Sequence, residues 1–366
     1  MKIRSIHITR LTIPMEPFVI ATETCTSADN ILIRIQTDAG ISGVGECSPF
    51  PMLVGESQDT CFHVGQDLAG IMLNKDPLQI SERMAEMDAL IAFNSTIKSA
   101  FDMALHDIAA KEKGLPLYAF LGGNKKKIQT DLTIGINTPV NMAATAKAFV
   151  ADGVRIIKVK LGKNGTEDIE RIRLIREAVG SDIKLRVDAN QGWDYPTALS
   201  TLQAIEKYDI GFCEQPMHHR NDHLLPVLKK NVGIPIMADE SVFDHHDAER
   251  LIKADACSYI NIKLAKSGGI LEAIKIADTA AIHGMPCMLG GMVESRLALT
   301  AKVHLAMAHN NIQFYDLDTC LLGHLSDPVV GGARYVNYFL ELDDVPGIGA
   351  DIEPGYLKNA ESITIQ

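Results

Sequence analysis

No two cysteines of the chain share a spacing that would make a bridge or a metal knuckle. Seven are scattered through 366 residues, at Cys25, Cys47, Cys61, Cys213, Cys257, Cys287 and Cys320, without a CxxC. An odd, dispersed set excludes a disulfide framework or a zinc ribbon and fits reduced, buried thiols. No apolar run approaches the ~18 residues of a membrane span. The opening MKIRSIHITRL alternates polar and apolar residues and lacks the apolar core of a secretory signal. The expected setting is the cytoplasm. Basic clusters are scarce: Lys125-Lys126-Lys127 is the one dense run, and the net charge is −11, against a nucleic-acid surface. Dinucleotide fingerprints and P-loops are also missing, since Gly268-Gly269 and Gly290-Gly291 are isolated pairs.

What is present falls into three parts. Residues 1–125 read as an α+β unit, with strands over 2–13, 30–37 and 43–47 and helical periodicity near 60–73, 80–90 and 95–112. Residues 126–320 carry a repeat. Short apolar runs at 131–136, 156–161, 183–189, 210–216, 234–240, 257–264, 285–291 and 314–318 alternate with amphipathic helical stretches. Eight such units predict a (β/α)8 barrel, its last unit modified; a doubly wound open sheet is the rival. Residues 321–366 hold strand-like pieces at 333–340 and 362–365 and are expected to pack back on the first unit.

Polar residues collect at the C-terminal ends of the runs, where barrels place their chemistry. Asp188, Glu214 and Asp239 close three successive runs about 25 residues apart. Three hard oxygen ligands on adjacent strands suit Mg²⁺; Mn²⁺ could take the same set. Lys158 and Lys160 share one strand face, and their mutual repulsion is expected to lower a pKa towards that of a working base. Lys263 follows four strands later, across the mouth of an eight-stranded barrel. A lysine on each side of a carbon acid, beside a divalent cation, can invert that carbon by two proton transfers. His218-His219 and His245-His246 read as surface loops, because no third ligand accompanies either pair.

The ordered motifs KVK (158–160), VDANQGW (187–193), EQP (214–216), ADES (238–241) and NIKLAKSGG (261–269) resemble the enolase superfamily, in its muconate-lactonizing subgroup. The resemblance implies Lys160 and Lys263 as the acid/base pair, Asp188, Glu214 and Asp239 as Mg²⁺ ligands, and Lys158 beside the substrate carboxylate. Asp316 and Asp318, a DxD closing the last run, match the position where dipeptide epimerases such as the L-Ala-D/L-Glu epimerases bind an α-ammonium. Thr133, Gly291 and Met292 fall at substrate-contacting positions. The implied reaction is epimerisation of the C-terminal residue of a dipeptide through an enediolate. Muconate cycloisomerase or o-succinylbenzoate synthase chemistry is the alternative.

One departure stands out. Glutamate-specific members carry an arginine in the first-domain lid, whereas residues 14–30 here contain no Lys or Arg and align Glu23 at that position. The expected substrates are therefore Ala-Xaa dipeptides with a neutral or hydrophobic Xaa. The sequence leaves open whether copies associate into a homo-oligomer.

Overall fold

The structure is a computed structural model that describes all 366 residues. Eight parallel strands form one sheet in strict chain order: Leu132–Ile134, Ile156–Lys160, Lys184–Asp188, Ile210–Glu214, Ile236–Ala238, Tyr259–Ile262, Cys287–Gly290 and Ile312–Asp316. The first and last meet through Asp131 N–H on the Tyr315 carbonyl at 3.3 Å and Leu317 N–H on the Thr130 hydroxyl at 2.8 Å. Consecutive neighbours joined by helices, with both ends brought together, make the barrel and remove the open-sheet alternative. The barrel and its helices share one large apolar core built from Ile, Val, Leu and Ala.

Ahead of the barrel, Ile3–Val19, Thr24–Thr37 and Ser42–Cys47 form an antiparallel sheet backed by helices Gln58–Met72, Ile80–Leu90 and Ser95–Glu112. Its first two strands run further than the sequence suggests. Pro14 and Pro17 interrupt the strand signal, yet pairing resumes past a register shift, with Phe18 opposite Cys25 and Val19 opposite Thr24. The lid over residues 14–30 is thus a twisted hairpin arm, consistent with a bulge aiming a strand end at a site. Its tip docks on the barrel, where Ile136 N–H donates to the Val19 carbonyl at 2.8 Å.

One close contact holds this unit together and one buried acid ties it to the barrel. Gly43 and Gly45 let the sheet lie directly on helix Ser95–Glu112, since a Cβ at Gly45 would stand 2.0 Å from the Ala100 carbonyl oxygen. Glu46, buried at the end of the third strand, accepts from Ser295 N–H (2.8 Å), Ser295 Oγ (2.6 Å) and Ala298 N–H (3.1 Å). It therefore satisfies free donors at the N-terminus of barrel helix Arg296–Ala308, where an acid is also favoured by the helix dipole.

The C-terminal segment divides between the two units. Ser362–Ile365 pairs antiparallel with the first strand, Ile6 opposite Ile365. The stretch 333–340, which reads as one strand, is instead a hairpin of Arg334–Val336 and Phe339–Glu341 turning at Asn337 and Tyr338, both with positive φ. Phe339–Glu341 pairs with Ile128–Gln129, so this piece covers the linker into the barrel. No helix is long and apolar enough to cross a membrane. All seven cysteines are free thiols.

His304 fixes the linker on helix Arg296–Ala308. Its Nδ1 accepts Tyr118 N–H at 3.0 Å and its Nε2 faces the Ile348 carbonyl at 3.0 Å, so only the neutral ring satisfies both. Burial pulls its pKa down to about 4, against the Ile348 carbonyl, which favours the proton. The unfolded chain takes up a proton near the ordinary value of ~6.5, before the folded one does. Stability is therefore fully present above ~6.5 and falls by about 3 kcal/mol as pH drops towards 4. Urea unfolding across that range should show this loss, and His304→Gln should flatten it.

Candidate active site

The C-terminal ends of the barrel strands converge on a dense set of buried charges. Register places Lys160 opposite Asp188 and Asp188 opposite Glu214, and Asp239 follows the fifth strand. Lys158 Nζ lies 3.1 Å from Asp188 Oδ2, 2.7 Å from Glu214 Oε2 and 2.7 Å from Asp316 Oδ2. Lys160 Nζ contacts Asp188 Oδ2 at 2.7 Å, and Lys263 Nζ contacts Asp239 Oδ2 at 2.7 Å. Lys266 pairs with Asp239 Oδ1 at 2.6 Å from beneath and also donates to its backbone carbonyl. Lys266 lies beyond its strand yet is 1 % exposed, which makes it a structural counter-charge to Asp239.

Charge and burial compete at each group. Burial pushes Asp188 up, but Lys160, Lys158 and Lys263 more than reverse this and hold it below the usual carboxylate range. Asp239 is likewise raised by burial and brought well down by Lys263 and Lys266. Glu214 is pushed up to about 7 by burial and Asp188, against the pull of Lys158. The expected lowering of the Lys158 pKa is not found: burial acts that way, but Asp316, Glu214 and Asp188 together raise it well above its ordinary value. Attraction from three acids outweighs repulsion from one neighbouring ammonium. Lys263 is raised as well, burial being overcome by Asp239 and Glu214.

Lys160 and Lys263 open into one cavity, floored by Asn190, Gln191 and Glu240 and walled by Gly291, Met292 and Val293. Its roof is the hairpin arm and the following turn: Phe18, Ile20, Thr22, Cys25, Phe50, Met52 and Leu53. The two lysines sit on the second and sixth strands, opposite each other in a ring of eight. Asn190 and Glu240 lie within VDANQGW and ADES, where no spacing signal separates them from their acidic neighbours Asp188 and Asp239. Asn190 Nδ2 donates to Glu240 Oε1 at 3.3 Å, and burial with Asp239 pushes Glu240 up to about 8.

The remaining residues are placed as follows. Asp318 lies two residues past the strand that ends at Asp316, with φ −104° and ψ 0°, so the pair does not share a strand face. Its Oδ2 accepts Thr133 N–H at 2.7 Å, while the Thr133 side chain is buried. Glu23 does not line the lysine cavity. It borders a neighbouring groove, is half-buried, and accepts the Cys25 thiol at 3.4 Å, so it is not a desolvated, unpartnered acid. The histidine pairs are engaged elsewhere, His219 on Gln191 and His245 on Glu272. Asp131, just before the first barrel strand and marked by no motif, joins Asp316 and Asp318. One carboxylate oxygen from each of the three lies within 4.8 Å of the others.

Asp188, Glu214 and Asp239 are all oxygen donors and are fully buried. Glu214 Oε2 and both oxygens of Asp239 receive no hydrogen bond, only ion-pair contacts at angles unsuited to one. Buried acceptors without donors call for a cation, and this donor set fits a hard divalent ion.

Residues 3–122 match the mandelate racemase / muconate lactonizing enzyme N-terminal domain, and residues 141–356 match the enolase C-terminal domain-like family. The chain belongs to the enolase superfamily. It is 47% identical to the D-Ala-D/L-Ala epimerase of Cytophaga hutchinsonii, over 96% of this chain and 95% of that one. It is 39% identical to the L-Ala-D/L-Glu epimerase of Clostridium acetobutylicum, over 96% and 99%. Among solved structures, a dipeptide epimerase from Cytophaga hutchinsonii complexed with Mg and D-Ala-L-Val superposes with a TM-score of 0.98, at 46% identity and full coverage of both chains. This superfamily member is an enzyme, an isomerase like those relatives.

Lys158 neutralises three acids at once, so its removal strands buried charge. Lys158→Met should cost about 3–5 kcal/mol in metal-free protein, read by urea unfolding in EDTA. Unchanged stability would show that the acids do not depend on it.

Proposed function

We propose that the chain is a divalent-metal-dependent dipeptide epimerase that inverts the α-carbon of the C-terminal residue. The observation that carries this reading is that Lys160 and Lys263, on opposing strands, open into one cavity beside three buried carboxylates. Asp188, Glu214 and Asp239 would hold Mg²⁺, with Mn²⁺ able to use the same oxygens. When bound, the ion neutralises charge that builds on the substrate carboxylate as the α-proton leaves.

Lys160 and Lys263 act as the acid/base pair. One takes the α-proton, and the other, protonated, returns a proton to the opposite face of the enediolate. Lys158, held by Asp188, Glu214 and Asp316, contributes fixed positive charge next to the substrate carboxylate. Asp316 and Asp318 receive the α-ammonium, with Thr133 fixing Asp318 through its backbone N–H. Gly291 and Met292 form the wall beside the lysines. Buried acids at the end of the eighth strand favour a cationic substrate group over the anions of lactonizing or succinylbenzoate-forming enzymes.

Specificity follows from the roof. Phe18, Ile20, Cys25, Phe50, Met52 and Leu53 are uncharged, and the lining has no cation besides the two lysines. An anionic Xaa side chain would lose its hydration there without a partner, which is costly. Burial, with Glu23, pushes the Cys25 thiol up to about 12, so it stays un-ionised at neutral pH.

Incubation of Ala-Xaa dipeptides with the enzyme and Mg²⁺ in D₂O should give α-deuterium exchange by mass. Lys160→Ala and Lys263→Ala should each abolish inversion, one of them keeping exchange from a single stereoisomer. Excess EDTA should stop both. Across a panel, kcat/KM should be higher for neutral and hydrophobic Xaa than for Glu; a preference for Ala-Glu would contradict the roof argument.

A further inference from the structure

Beneath the proposed ammonium site lies a carboxylate that no part of the reaction above uses. Asp131 is fully buried at the entry to the first barrel strand. Its Oδ2 pairs with Arg186 Nη1 at 2.7 Å, and its Oδ1 has no partner of any kind. Arg186 is held by flanking aromatic faces, its guanidinium carbon 5.1 Å from the Phe212 ring and 5.3 Å from Phe314. The other two members of the trio each have one oxygen committed, Asp316 to Lys158 and Asp318 to Thr133 N–H.

The charges in this cluster do not cancel. Three acids face two bases, and Lys158 is already shared with Asp188 and Glu214. Burial and Asp316 push Asp131 up to about 7 despite Arg186 and Lys158, and burial with Asp316 and Asp131 raises Asp318 well above the usual carboxylate range. An unpartnered, fully buried acceptor within 4.8 Å of the two ammonium-binding carboxylates is a costly feature unless a cation arrives to offset it.

We propose that Asp131 is a positioning residue for the substrate's α-ammonium. With Arg186 it sets the net charge behind Asp316 and Asp318, and so sets how strongly the enzyme prefers a free amine to an acylated one. Asp131 has one oxygen committed to Arg186 and acts through the field at Asp316 and Asp318. At a pH above about 8, where Asp131 is ionised, removing its charge in a partly screened interior should cost about tenfold in ammonium affinity. The inference rests on the dipeptide reading.

The test compares an Ala-Xaa dipeptide of neutral Xaa with its N-acetyl derivative. The KM of the free dipeptide is measured by α-deuterium exchange, and the Ki of the N-acetyl form by inhibition of that exchange. The discrimination is Ki divided by KM. Asp131→Asn should lower it about tenfold through a raised KM, leaving kcat and Ki within about twofold. Asp131→Glu should restore it. Asp131→Asn/Arg186→Gln removes both charges and should return the ratio to within about threefold of the parent. If Asp131→Asn does not fold, Arg186→Gln alone should raise the ratio.

An equal change in KM and Ki, a double variant no better than the single one, or no rise in Arg186→Gln would overturn the proposal. Absence of exchange by the parent enzyme on every dipeptide would instead defeat the proposed function, which separates the two failures.

Discussion

The structure depends on keeping a cluster of ionised side chains inside a barrel with little water to solvate them. Asp131, Asp188, Glu214, Asp239, Glu240, Asp316 and Asp318 are all less than a tenth exposed, and so are Lys158, Lys160, Lys263, Lys266 and Arg186. Seven acids face five bases, and burial with neighbouring acids pushes Asp131 and Glu214 up to about 7 and Glu240 up to about 8, so the cluster does not carry its full negative charge at neutral pH unless further positive charge arrives. A divalent cation and a substrate ammonium are charges that would supply it. Lys160 and Lys263, the proposed proton carriers, also hold Asp188 and Asp239 in place. Isolated, these ions could not be buried at bearable cost; paired, they fix one another's geometry.

Position in the barrel decides what each pair can do. Lys160 and Lys263 line the cavity, while Lys158 and Lys266, each 1 % exposed, do not. The N-terminal unit completes the arrangement from above. Its hairpin arm roofs the cavity with apolar side chains, Glu46 ties the unit to the barrel, and the glycine-lined contact holds the sheet on its own helix Ser95–Glu112. The roof and the strand ends come from different parts of the chain, a division common to barrel enzymes.

Much of this was legible in the chain. Eight apolar runs at constant period located every barrel strand, and the acids and lysines ending them marked the site, because strand ends and motif spacing are local properties. Other features depend on tertiary geometry. The hairpin arm was hidden by Pro14 and Pro17: Pro14 pairs with Ser27, and pairing resumes at Phe18 only across a register shift. Glu23 aligned with a lid position but falls in the tight turn between the first two strands and borders an adjoining groove. Asp318 falls past its strand, and its approach to Asp316 comes from a local turn rather than from alternation. Asp131 opens its strand, so it looked like a boundary residue; only the closure of the first strand on the eighth brings it to Asp316.

The central claim is that Asp188, Glu214 and Asp239, and not the tighter trio around Asp131, are where a divalent cation is held. Isothermal titration of the apoprotein with Mg²⁺ in the absence of substrate tests it most directly. The account predicts a single site per chain that disappears in Asp239→Asn and persists in Asp318→Asn. Binding that survives Asp239→Asn and is lost in Asp318→Asn, or no binding at all, would contradict it.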